Sequence, residues 1–227
     1  MKKRLLTVFT ILAALLITGC ESPEEVVSEN LLGIDFNVPS NETTLDFGED
    51  NPVVAIYIEN YGAVVFELFP EIAPTTVNNF LTLVQEGFYD DNTFHRLVPG
   101  FVLQGGDPNG TGMGGAEYNI VGEFEANGIE NPLPHNRGII SMARSAFSYD
   151  SASSQFFIML GDENSLNGEY AAFGRVIAGM DVVDRIERNE PLVDRRTGEL
   201  VNNLRLVRAV MDLRGYEIGE IKRVSRD

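Results

Sequence analysis

Phe94-His95-Arg96-Leu97-Val98-Pro99-Gly100-Phe101-Val102-Leu103-Gln104-Gly105-Gly106-Asp107 sets one arginine and one glutamine among large apolar side chains and closes on a glycine pair. An arginine in a polar segment is ordinarily a solvated surface charge. Arg96 is flanked instead by Phe94, Leu97, Val98 and Phe101, a setting in which a charge is costly to bury without a purpose.

Outward from that stretch, the chain reads as short apolar strands broken by glycine and proline. Residues 53–58 and 63–69 are β-branched and aromatic, and Glu59-Asn60-Tyr61-Gly62 between them is a hairpin signal. Pro74-Thr75-Thr76 opens a helix through about residue 86, with Val77, Phe80, Leu81 and Val84 on one face and Gly87 as its stop. Residues 180–188 form a second amphipathic helix, and residues 201–211 supply closing strand material. Many strands with two substantial helices predict a mainly β fold: a closed antiparallel barrel capped by the two α-helices. The domain is expected over residues 51–213, followed by a C-terminal tail, 214–227.

The N-terminus has a separate character. Lys2, Lys3 and Arg4 precede an apolar run from Leu5 to Ile17, too short at about 1.5 Å per residue to cross a hydrocarbon core of about 30 Å. Residues 1–19 therefore read as a signal peptide. Ile17-Thr18-Gly19-Cys20 resembles a bacterial lipobox, which implies lipidation of Cys20 after cleavage and a protein lipid-anchored at the extracytoplasmic face of the cell membrane. Residues 20–50, rich in Glu, Ser, Asn and Asp, read as a flexible linker between anchor and domain.

Composition removes several function classes. The net charge is -17; three of the 17 basic residues lie in the signal, leaving 14 against 34 acidic ones. Nucleic acid is excluded as a partner, since phosphate binding needs a basic surface. Anionic lipid is equally excluded, so membrane association rests on the lipid alone. With two histidines and one cysteine, no spacing resembles a metal site, and no metal or cofactor is expected. His95 reads as a structural residue beside Arg96, and neither histidine lies near a nucleophile-elbow pattern, which disfavours a hydrolase. Gly110-Thr111-Gly112-Met113-Gly114-Gly115 fits a dinucleotide-binding spacing. Pro108-Asn109 before it and a mixed polar segment after it deny it the required strand and helix, leaving a glycine loop that a peptide backbone can approach.

Four blocks in order carry a more specific message: 94–107, Gly138-Ile139-Ile140-Ser141-Met142-Ala143, Ser153-Ser154-Gln155-Phe156-Phe157-Ile158, and Leu166-Asn167-Gly168-Glu169-Tyr170-Ala171-Ala172-Phe173-Gly174. Together, over about residues 53–209, they resemble the cyclophilin family of peptidyl-prolyl isomerases. The resemblance implies an eight-stranded barrel and a monomer acting on proline-containing polypeptides. It also implies a catalytic set of Arg96, Phe101 and Gln104, with substrate-binding positions at Val102, Gly110, Ala143, Arg144, Ser145, Gln155, Phe157, Leu166 and Tyr170. Phe94 and Phe156 are assigned to the core, and strand alternation sends Phe156 and Phe157 to opposite faces, so at most one of them faces the groove. Arg144 stands where an asparagine acting largely through its backbone is usual, Ser165 where a tryptophan or histidine is familiar, and Tyr170 where a histidine is. The missing tryptophan leaves tight cyclosporin binding unsupported. A proline-segment binding module, a chaperone or adhesin with incidental turnover, uses the same groove and is the alternative.

Overall fold

A computed structural model describes residues 50–226. The proposed signal peptide, Cys20 and nearly all of the linker lie outside these residues. The strands are β1 (Val53–Ile58), β2 (Gly62–Leu68), β3 (Thr93–Val98), β4 (Val102–Asp107), β5 (Asn119–Ile120), β6 (Ile139–Met142), β7 (Phe156–Met159), β8 (Ala172–Ala178), β9 (Leu192–Asp194), β10 (Glu199–Asp212) and β11 (Arg223–Val224). The helices are α1 (Pro74–Gln85) and α2 (Met180–Asn189).

Eight strands hydrogen-bond in the order β1-β2-β8-β6-β7-β4-β3-β10, and β10 pairs back onto β1, so the sheet closes into an antiparallel barrel. Closure removes the exposed edges that an open sheet would present. β10 starts earlier and ends later than its periodicity suggests, because it serves three neighbours: β9, β3 and β1. The expected β1–β2 hairpin forms, with Asn60 at φ 66 and Gly62 at φ 112 making the left-handed turn.

The core is aromatic. Phe156 on β7 meets Phe80 of α1 at 5.3 Å, Tyr89 at 5.7 Å, Phe94 of β3 at 5.8 Å and Phe66 of β2 at 6.3 Å between ring centroids, each nearly edge-on. Edge-to-face contacts of this kind add to area burial. The helix α1 buries its expected face and also Thr75, Thr76, Asn78 and Asn79. Its N-terminus has no capping side chain of its own; the buried carboxylate of Glu123 accepts from Thr75 N at 2.9 Å, Thr76 N at 2.8 Å and Thr76 Oγ1 at 2.7 Å. Asn78 binds the C-terminal segment, accepting from Tyr216 Oη and Gly219 N and donating to Glu220 O. Residues 214–226 thus pack on the domain, and β11 pairs with β5. None of the helices among the described residues is long and apolar enough to cross a membrane.

Candidate active site

Arg96 owes its direction to a bulge. Phe94 pairs with Gly105 and Arg96 with Gln104, so two steps along β3 match one along β4. The extra residue resets the inside-outside alternation: Phe94 and Leu97 both enter the core, while Arg96 turns to the outer face. Gln104 on β4 is paired with Arg96 on one side and with Phe157 of β7 on the other. Three neighbouring strands therefore present a guanidinium, a carboxamide and a phenyl ring in one row.

Hydrogen bonds fix the order of the polar groups. Gln155 Nε2 donates to Gly112 O at 3.0 Å and Gly114 O at 2.8 Å. Its Oε1 thereby faces Gln104 and accepts from Gln104 Nε2 at 2.9 Å, and Gln104 Oε1 accepts from Arg96 Nη1 at 3.0 Å. On its other side Arg96 Nε donates to Thr197 O at 2.9 Å, in the turn between β9 and β10. That turn is held against β3 by Leu97 N donating to Gly198 O at 2.7 Å. Gly198 has φ +77, and a Cβ there would lie 2.6 Å from Leu97 O, so the close approach requires glycine. Burial lowers the Arg96 guanidinium from its usual pKa, with Tyr170 opposing; the group remains a cation at neutral pH.

Arg96 overlooks a hollow of about 240 Å³ whose wall also holds Phe101, Val102, Gln104, Ala143, Arg144, Phe157, Leu166 and Tyr170. Phe157 is braced from behind: its ring stacks on His135 at 6.1 Å and meets Tyr170 edge-on at 5.9 Å. Asn167 Oδ1 accepts from His135 N at 2.7 Å and stands 3.1 Å from Nδ1, so Nδ1 carries the proton and Nε2 accepts from Ser141 Oγ at 3.0 Å. Burial lowers the His135 pKa and keeps the ring neutral. His95 points elsewhere. It is buried, neither ring nitrogen has a hydrogen-bond partner among the described residues, and burial lowers its pKa too.

A second hollow, of about 390 Å³, adjoins the first through Gln104, Ala143 and Arg144. Gly112, Met113, Gly114, Ser145, Gln155 and Arg226 are among its walls. Asp107 shapes the glycine loop: Oδ1 accepts from Asn109 N at 2.8 Å, and Oδ2 from Thr111 N at 2.9 Å and Gly112 N at 2.6 Å. A Cβ on Gly114 would collide with that carboxylate. The loop leads from β4 into β5 rather than into a helix, so it lacks the helix N-terminus on which a dinucleotide phosphate sits.

Of the residues assigned from sequence, Arg96, Phe101, Val102, Gln104, Ala143, Arg144, Ser145, Gln155, Phe157, Leu166 and Tyr170 all line one hollow or both. Gly110 does not. Its carbonyl accepts from Asn203 Nδ2 at 2.8 Å, and a Cβ there would lie 2.6 Å from the same atom, so Gly110 is tied to β10. Gly112 and Gly114 of the same loop line the second hollow. Arg144 contributes more than backbone. Its guanidinium, with the side chain 8% exposed, lies 4.7 Å from the Tyr170 ring centroid, 5.0 Å from Tyr149 and 5.3 Å from Phe124, an aromatic enclosure that favours a cation. It also donates to Glu169 O and pairs with Glu169 Oε2 at 3.1 Å.

The family model described as "Cyclophilin type peptidyl-prolyl cis-trans isomerase/CLD" matches residues 53–210. This chain belongs to the cyclophilin-type peptidyl-prolyl isomerases. Peptidyl-prolyl cis-trans isomerase B of Bacillus subtilis (strain 168) is 43% identical to this cyclophilin over 139 residues, covering 61% of the chain and 93% of that relative. A Helicobacter pylori (strain J99) peptidyl-prolyl cis-trans isomerase is 43% identical over 133 residues, 58% of the chain and 78% of its own length. The crystal structure of a Cryptosporidium parvum cyclophilin type peptidyl-prolyl cis-trans isomerase, solved in the presence of the dipeptide Ala-Pro, superposes with a TM-score of 0.62 at 36% identity, covering 70% of this chain and 98% of that one. The cyclophilin is thus an isomerase enzyme. Sequence reasoning missed three of its site features: the Thr197 carbonyl, the brace from His135, and Arg226. His135 and Arg226 sit outside the four motif blocks, and a backbone carbonyl leaves no mark in a side-chain pattern. Among the described residues no cluster of three His, Cys, Asp or Glu could hold a metal.

Proposed function

We propose that this cyclophilin isomerises X–Pro bonds of extracytoplasmic proteins and so assists their folding, held at the membrane by lipid on Cys20. The carrying observation is Arg96, fixed between Thr197 O and Gln104 Oε1 at the wall of a hollow that Phe101, Val102, Phe157 and Leu166 also line. A planar X–Pro amide resists rotation by about 20 kcal/mol. On twisting, the prolyl nitrogen regains its lone pair and becomes an acceptor. A guanidinium N–H aimed there stabilises the transition state and not the ground state, which is the condition for catalysis. A charge-assisted hydrogen bond contributes about 1.5–3 kcal/mol, whereas bringing a step of tens of seconds to milliseconds needs about 5–6 kcal/mol.

The rest falls to the hollow. Phe101, Val102, Phe157 and Leu166 offer the proline ring an apolar seat, and the planar amide, more charge-separated than the twisted one, is the form that seat penalises. The Ala-Pro dipeptide used with the Cryptosporidium relative fits the same chemistry. Gln104, aligned by Gln155, positions Arg96 and the substrate carbonyl. The lipobox at Ile17-Thr18-Gly19-Cys20 and the apolar run before it support the anchored, extracytoplasmic location.

The catalytic test is isomerisation of a proline tetrapeptide by the full chain and by its Arg96→Ala variant. Acceleration by the parent and at least a tenfold loss in the variant are expected, since about 1.4 kcal/mol is one decade; equal rates would end the reading. For the anchor, labelled fatty acid should enter the membrane fraction of the parent and not of Cys20→Ser. Label in neither would remove the lipid.

A further inference from the structure

The C-terminal segment brings a charge to the second hollow. Past β10 the chain crosses α1 on the Asn78 hydrogen bonds. Val121 N then donates to Lys222 O at 3.1 Å, and Arg223 and Val224 pair with Ile120 and Asn119. The Arg223 guanidinium lies 4.0 Å from the Tyr118 ring centroid, which secures the strand pair. Two residues on, Arg226 Nε donates to Asn119 Oδ1 at 3.2 Å, and Arg226 becomes part of the hollow's wall beside Ser153. Gly115 leaves it room: a Cβ there would lie 2.6 Å from Arg226 Nη2.

The hollow holds two arginines and no carboxylate, in a molecule of net charge -17. The two arginines differ. Arg144 is matched by Glu169 and enclosed by rings, whereas Arg226 makes no ion pair among the described residues. Arg226 is an exposed residue, and the wall it joins holds Met113 and Phe147 beside serines, glycines and the Gln155 carboxamide. A cation with no ion-pair partner among the described residues, in an acidic molecule, attracts an anionic group and repels a cationic one.

We propose that Arg226 makes the second hollow a subsite for an acidic side chain, so that the isomerase prefers X–Pro segments carrying Asp or Glu close to the proline. The proposal rests on the first hollow taking the proline, and names the flanking residue that the same groove selects.

The test uses the full chain and short Ala-Pro peptides with Glu, Gln or Lys at each flanking position in turn. Affinity is followed by NMR titration and isomerisation by exchange spectroscopy. At one position the parent should favour Glu over Gln by about two- to fivefold, the range of an exposed charge contact, and the ratio should shrink as salt rises. Arg226→Gln should abolish the preference, Arg226→Lys should keep most of it, and Arg226→Glu should turn it toward Lys. Equal affinity for Glu and Gln at every position overturns the proposal, as does a preference undiminished in Arg226→Gln. Because affinity is read separately from turnover, a Gln peptide that binds but is not isomerised counts against the isomerase reading alone.

Discussion

At the scale of the residue, neighbours in sequence do unlike work. Phe156 and Phe157 adjoin on β7, yet the first is ringed by four core aromatics and the second faces the hollow against His135 and Tyr170. Phe156→Ala is expected to cost about 3–5 kcal/mol of stability, as large core truncations do, measured by urea unfolding. Phe157→Ala should instead raise KM for a proline peptide several-fold at a smaller stability cost. The two histidines set the acid limb. Both have pKa values lowered below the usual 6.5 by burial, so the unfolded chain binds protons that the folded one refuses. Stability is therefore complete above pH 6.5 and falls as pH drops below it, by up to about 1.4 kcal/mol per unit for each histidine, until the folded-state values are passed. Asp107, whose backbone hydrogen bonds outweigh burial and lower its pKa below 3.8, adds a separate loss only in stronger acid. Denaturation curves from pH 8 to 2 should show the two falls apart.

At the scale of the element, the helix α1 and the β9–β10 turn depend on partners far away in sequence. The α1 start shows no capping residue, because Glu123 supplies the cap from 47 and 48 positions further on. A carboxylate at that end also meets the positive pole of the helix. Glu123→Gln keeps the shape and removes the charge; a loss of about 1–2 kcal/mol in unfolding free energy is expected. The β9–β10 turn presses Gly198 on Leu97 and gives Thr197 O to Arg96. Gly198→Ala should displace that carbonyl and lower kcat for a proline peptide more than it raises KM, since the guanidinium acts on the twisted amide.

At the scale of the whole molecule, the barrel closes through β10 onto β1, and the site lies where β3, β4 and β7 run side by side. The sequence alone determined the family, the antiparallel strands and the residue types of the site, since hydrophobic period and motif are local and the groups that contact substrate are side chains. It also determined that Phe156 and Phe157 take opposite faces, because alternation is a property of one strand, and the family resemblance put Phe157 on the groove side. What only the tertiary structure decided depends on two segments at once. The bulge that turns Arg96 outward exists only in the register between β3 and β4. Within the glycine loop, the fold joins Gly110 to Asn203 and Gly112 and Gly114 to Gln155. Residues 214–226, read as a tail, pack on the domain, and the short strand β11 within them brings Arg226 to the second hollow. Pairings between distant segments are set by how the closed barrel packs, and no window of sequence contains both partners.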